Sequence, residues 1–153
     1  MAPLLCQIAT PEQANSTAGL VERRMLAPGG LRTTLKATGE QWDMPNGWAP
    51  LQWIAVRGLL NYGFSDLATK IARRWIETVD LIYRQTGFTH EKYDIETRAI
   101  GGGGEYDPQI GFGWTNGVPR DFICRFGDRA AECRSYYQAP VNRDAKGDPC
   151  SKV

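Results

Sequence analysis

The 153-residue sequence predicts an all-α domain in which outer and inner helices alternate. Four segments repeat apolar residues at helical spacing. One of them is apolar nearly all round while its neighbours are amphipathic, and two long connections rich in glycine and aromatics separate the segments.

The first helix is predicted from about Pro11 to Met25. Thr10 is placed as N-cap, Pro11 at the first helical position and Gln13 two further on, a capping-box start, and Pro28-Gly29-Gly30 ends the segment. Glu12, Gln13, Glu22, Arg23 and Arg24 mark it as outer. The second helix, from about Pro50 to Tyr62, has only Gln52, Arg57 and Asn61 as polar residues after Leu51, so it reads as buried on all sides. The third starts after Ser65 and ends near Gln85, with Gly87 as its stop. Its apolar face is Leu67, Ile71, Trp75, Val79 and Ile82, and Lys70, Arg73, Arg74, Glu77 and Asp80 face away. The tight Gly63-Phe64-Ser65 turn joins the second helix to the third, and the fourth runs from about Thr115 to Phe126.

Antiparallel neighbours then place the 26–49 and 86–114 loops at one end and the short turn at the other. Long loops in a compact domain are commonly functional, so one functional face is expected. The domain is expected over 1–127. From Asp128 to Val153 the chain is polar and lacks a sustained period, which reads as a loosely ordered tail.

Composition narrows the function. Eighteen Lys+Arg against 17 Asp+Glu give a net charge of +1, which fits no nucleic-acid footprint. No apolar run approaches a membrane span. The N-terminus MAPLLCQIATPEQA has no basic region, so no signal peptide is expected; it reads instead as a chain cut within its architecture. Cys6, Cys124, Cys133 and Cys150 form no C-x-x-C pair and His90 is the lone imidazole, so no metal site is expected. A Cys133–Cys150 or Cys124–Cys133 disulfide stays open for an oxidising compartment.

The loops carry the chemistry. Carboxylates beside indoles and phenols suit a neutral sugar, whose C–H faces pack on rings while its hydroxyls need fixed partners. On pattern alone, Trp42, Trp48 and Trp114 read first as core aromatics at helix entrances. A phosphate cradle at Gly101–Gly104 is disfavoured, because Glu105 follows, no Gly-Lys-Ser/Thr ending is present and no strand is expected before it. Glu91, Glu105 and Asp43 are the main candidate carboxylates for chemistry, with Asp94, Glu96 and Asp107 behind them. Inverting glycoside hydrolysis needs a carboxylate base and a protonated carboxyl about 6.5–9.5 Å apart.

The segments QWDMPNGWAP at 41–50, HEKYD at 90–94 and GGGGEYDPQIGFGWTNGV at 101–118 closely resemble the C-terminal signature segments of the trehalase family, the inverting α,α-trehalose glucohydrolases. ATPEQA at 9–14 and APGGLRTT at 27–34 are similar too, and the likeness runs from about Leu4 to Phe126. The resemblance implies a partial (α/α)6 barrel holding about the last third of the family fold. It implies trehalose as substrate and glucose as product, no cofactor, and Glu91 as general base. Glu105 is then a carboxylate of the −1 glucose subsite, and Trp42, Asp43 and Trp48 belong to a loop lining the pocket. The family's general-acid aspartate lies upstream of everything in this sequence, so the chain alone is expected to be inactive. A full-length parent is expected to be periplasmic or secreted. A non-catalytic sugar-binding or interaction remnant, or an inverting glycosidase of other specificity, is the alternative. In a partial barrel Trp53, Ile54, Leu59 and Leu60 are expected to face water at about 25 cal/mol per Å². That loss makes marginal stability and self-association expected.

Overall fold

A computed structural model of the chain describes residues 1–104 and 106–127. The expected tail, Cys133, Cys150 and Glu105 lie outside the described residues. A short helix, α1 (Ala2–Leu5), precedes α2 (Pro11–Leu20), which widens into a π-helical turn over Val21–Met25. The hairpin β1 (Leu26–Ala27) and β2 (Gly30–Leu31) follows, then β3 (Asn46–Trp48), α3 (Ala49–Asn61) and α4 (Ser65–Thr86). Strands β4 (Lys92–Asp94) and β5 (Ala99–Ile100) lead to α5 (Gly113–Phe126).

The local signals act as read. Thr10 Oγ1 accepts from the Gln13 amide at 3.3 Å, and Gln13 Oε1 accepts from the Thr10 amide at 2.9 Å. Gly87, at φ 78°, ends α4 in the left-handed conformation. No residue of α3 from Ala49 to Leu60 is exposed, so it is the inner helix. In α4, Ile71 and Trp75 are fully buried, and Lys70, Arg73, Glu77 and Asp80 face solvent. Arg74 departs from that face: it is half-buried and donates to the Ala27 carbonyl at 2.8 Å. Leu59 also departs from expectation, being fully buried rather than facing water. Trp53, Ile54 and Leu60 are half-buried, and Trp53 and Ile54 line an apolar groove with Leu5, Pro50, Trp114 and Val118.

The strands were not foreseen. β3 pairs antiparallel with β4 in the register Asn46↔Asp94, Gly47↔Tyr93, Trp48↔Lys92, and β5 adds to the far edge of β4. This ladder joins the two long loops, as the shared-end reading requires. Because β5 directly precedes the Gly101–Gly104 run, the expectation that no strand stands there is corrected. Two residues are too few to display a period of two. The mainly helical fold stands, with sheet confined to the loops.

Packing against the ladder is close. A Cβ on Gly47 would lie 2.6 Å from Ile95 Cγ2, so β3 has no room for a side chain there. The guanidinium of Arg32 grips Glu96 through two bonds, of 2.5 and 2.9 Å, tying the end of β2 to the β4–β5 turn. Gln52, fully buried in α3, clamps the backbone of Leu31: its Oε1 accepts from the Leu31 amide at 2.8 Å and its Nε2 donates to the Leu31 carbonyl at 2.9 Å. Among the described residues no helix is long and apolar enough to cross a membrane.

Gln52→Leu keeps the volume but strands a buried N–H and a buried C=O. We expect a loss of about 2–4 kcal/mol, read as a lower urea midpoint at unchanged slope.

Candidate active site

The ladder between β3 and β4 makes neighbours of Trp48 and Lys92, and Glu91 stands one residue before β4. Glu91 is 3% exposed. Its carboxylate is held at both oxygens: Lys92 Nζ lies 3.1 Å from Oε2, and the Tyr106 hydroxyl donates to Oε1 at 2.9 Å. Its backbone is equally fixed. The amide donates to the Gln109 carbonyl at 2.8 Å, and the Glu91 carbonyl accepts from Trp114 Nε1 at 3.1 Å. His90 anchors the preceding position, donating its amide to the Tyr93 hydroxyl at 2.9 Å and accepting from Thr115 Oγ1 at 2.7 Å. Burial lowers the pKa of the His90 ring, favouring the neutral form.

Aromatic rings surround this charge pair. Trp42 stacks flat on Trp48, with centroids 3.8 Å apart and planes 3° apart, and Trp114 meets Trp48 edge-on at 5.7 Å. Trp48 is 1% exposed whereas Trp42 is 47% exposed, so Trp42 presents the ring surface to solvent. The Lys92 ammonium lies 5.3 Å from the Trp48 centroid and 5.0 Å from that of Tyr106.

Asp43 is buried and organises its own loop. Its Oδ2 accepts from the Thr38 amide at 2.6 Å and the Thr38 hydroxyl at 2.5 Å, while Oδ1 is buried with no hydrogen-bond partner among the described residues. Asn46 sews the loops together. Its Nδ2 donates to the Gly102 carbonyl at 2.7 Å and its Oδ1 accepts from the Gly102 amide at 3.2 Å. At Gly103, φ is 78° and an added Cβ would meet the Gly39 carbonyl oxygen at 2.5 Å, so the run needs glycine to lie against the 39–41 segment.

Glu91, Trp48 and Trp42 therefore converge, and Asp43 sits within the same loop. Glu105 lies outside the described residues. The lesser candidates have structural tasks or none: Asp94 Oδ1 accepts from the amides of Glu96 and Thr97, Glu96 pairs with Arg32, and Asp107 is exposed. Sequence reading assigned no role to Lys92, Tyr106, Asn46 or Gln41. A lysine inside a carboxylate- and aromatic-rich motif was the available signal, since a buried ammonium needs a counter-charge. Among the described residues, no group of three or more His, Cys, Asp or Glu could hold a metal ion.

The trehalase family model matches residues 1–127. The periplasmic trehalase of Pseudomonas aeruginosa is 50% identical over 129 residues, covering 84% of this chain and 24% of that protein. The neutral trehalase Nth1 from Saccharomyces cerevisiae superposes with a TM-score of 0.68 at 28% identity, over 87% of this chain and 24% of that one. The chain thus spans about a quarter of the length of these relatives, less than the third expected.

Tyr106 donates to a carboxylate, so losing its proton would set two negative charges together; the hydrogen bond to Glu91, then burial, raises its pKa above the ordinary tyrosine value. The raised value contributes stability fully below the ordinary tyrosine range and loses it as pH rises through the folded value. In Glu91→Gln, the phenol should ionise at lower pH than in the parent, measured by ultraviolet titration with Tyr106→Phe identifying the signal.

Proposed function

The chain belongs to the trehalase family, and from that premise we propose that it supplies the base side of an inverting hydrolysis of α,α-trehalose to two glucose molecules. One observation carries the reading: a buried glutamate, Glu91, is held on both oxygens where two aromatic loops meet. Fixed in that way, a carboxylate can take a proton from a water on the face of the anomeric carbon opposite the leaving sugar. A protonated carboxyl on the other side gives the proton to the glycosidic oxygen, so one displacement inverts the centre without a covalent intermediate. By the family resemblance that acid is an aspartate from the part of the fold outside these 153 residues.

The other assignments follow the same premise. Trp42, with its exposed ring, offers a stacking surface for a sugar face. Trp48 backs it, and Asp43 Oδ1, without a hydrogen-bond partner among the described residues, suits a sugar hydroxyl, which would satisfy a buried acceptor. Glu105 is proposed for the −1 subsite on the resemblance alone. The apolar groove around Trp53 and Trp114 is proposed to be covered by the rest of the family fold, and by a second copy of the chain when that is absent. A periplasmic or secreted parent is supported by the name of the Pseudomonas relative.

A second reading is a sugar-binding chain without turnover, for which the exposed ring of Trp42 offers the contact surface. Calorimetric titration with trehalose and glucose assay on the assembly with the upstream part of a trehalase separate the two readings, because binding there without glucose release supports the second.

In an assembly that joins this chain to the upstream part of a trehalase, Glu91→Gln should lower kcat by about 10²–10⁴-fold, and its melting temperature should fall because the buried Lys92 ammonium loses its counter-charge. Full turnover in that variant would remove the base assignment. The chain by itself should release no glucose from trehalose.

A further inference from the structure

Lys92 is the buried charge that this reaction leaves unused. Its side chain is fully buried, and Glu91 is its salt-bridge partner among the described residues. Gln41 Oε1, 3.4 Å from the ammonium, and the rings of Trp48 and Tyr106 complete its surroundings. The backbone allows it little freedom. Lys92 pairs with Trp48 across the ladder, and its carbonyl accepts from the Gly101 amide at 3.1 Å. A lysine on a flexible four-carbon stem normally keeps its ammonium in water. Here it is confined to one point beside one carboxylate oxygen.

The two oxygens of Glu91 consequently differ. Oε2 faces a cation with no solvent exposure, whereas Oε1 faces the hydroxyl of Tyr106, a residue 45% exposed. Oε2 is thus committed to a fully buried cation, whereas Oε1 is shared with the phenol of a part-exposed residue. We propose that Lys92 is a positioning residue that occupies Oε2, sets the plane of the carboxylate and leaves Oε1 as the oxygen that takes the proton from water. This rests on the reading of Glu91 as base. Each carboxylate oxygen has two lone pairs, so Oε1 can accept from Tyr106 and from the water together. In the step, a water O–H bond breaks and its proton goes to Oε1. The water oxygen bonds to the anomeric carbon as the bond to the leaving glucose breaks, and the leaving oxygen takes its proton from the opposite acid. Lys92 keeps all its protons throughout.

The contact is tested first on the full chain, labelled with ¹⁵N-lysine and ¹³C-glutamate. The expected result is a slowly exchanging lysine ammonium signal that disappears in Glu91→Gln. An ammonium exchanging as fast as surface lysines would overturn the proposal, and this measurement needs no substitution at Lys92. The role is tested in the assembled enzyme. Lys92→Met should lower kcat by about 100-fold, the scale of a misplaced reacting group, with KM within about threefold. An unchanged kcat, or a loss carried by KM, would overturn positioning while an inactive Glu91→Gln leaves the base reading intact. An active Glu91→Gln would instead sink the base reading itself, so the two failures are told apart.

Discussion

Three residue pairs of antiparallel ladder, β3 against β4, hold the site together. One strand ends the first long loop and the other lies within the second, so their pairing turns two distant pieces of chain into one rim. Everything chemical depends on it: Lys92 opposes Trp48 only in this register, and Glu91 stands beside Lys92 only because the strand begins there. A slip of one residue would turn every side chain of the strand to the opposite face and dismantle the charge pair and the aromatic stack together. The register is defended by packing. Ile95 leaves no room for a Cβ at Gly47, and Gln52 fixes the Leu31 backbone beside it.

The buried pair of Glu91 and Lys92 is better understood as geometry than as stabilisation. Removing two charges from water offsets much of their attraction, so an apolar pair of similar volume could hold the same space at comparable stability. What the charges provide is direction. A carboxylate gripped at one oxygen by a cation and at the other by a phenol has a defined plane, and a reacting group gains from that definition.

Much of the helical frame was legible in the sequence. Capping at Thr10, the glycine stop at Gly87 and the contrast between α3 and α4 are local or periodic signals, and local signals survive folding. The convergence of the two loops was legible for the same reason, since helix order alone decides which ends meet. The strands were not. Each has two or three residues, and their pairing is decided by partners far away in the chain. Leu59 was misread because apolarity all round a helix does not say which side a neighbour covers. Within the site, Glu91 and the tryptophans stood out by type and motif. Lys92 and Asn46 did not, because their meaning lies in contacts across the ladder and to Gly102.

The groove between α3 and α5 has one further implication. Its polar wall is already committed: Asp121 accepts from the Trp53 indole at 3.0 Å and is gripped by the Arg125 guanidinium at 2.9 Å. What remains for an incoming surface is Leu5, Pro50, Ile54 and Val118, which attract without direction. Such a face adheres but does not discriminate. A partner aligned on such a face would take its alignment from shape or from the groove's margins, because apolar contact has no preferred direction.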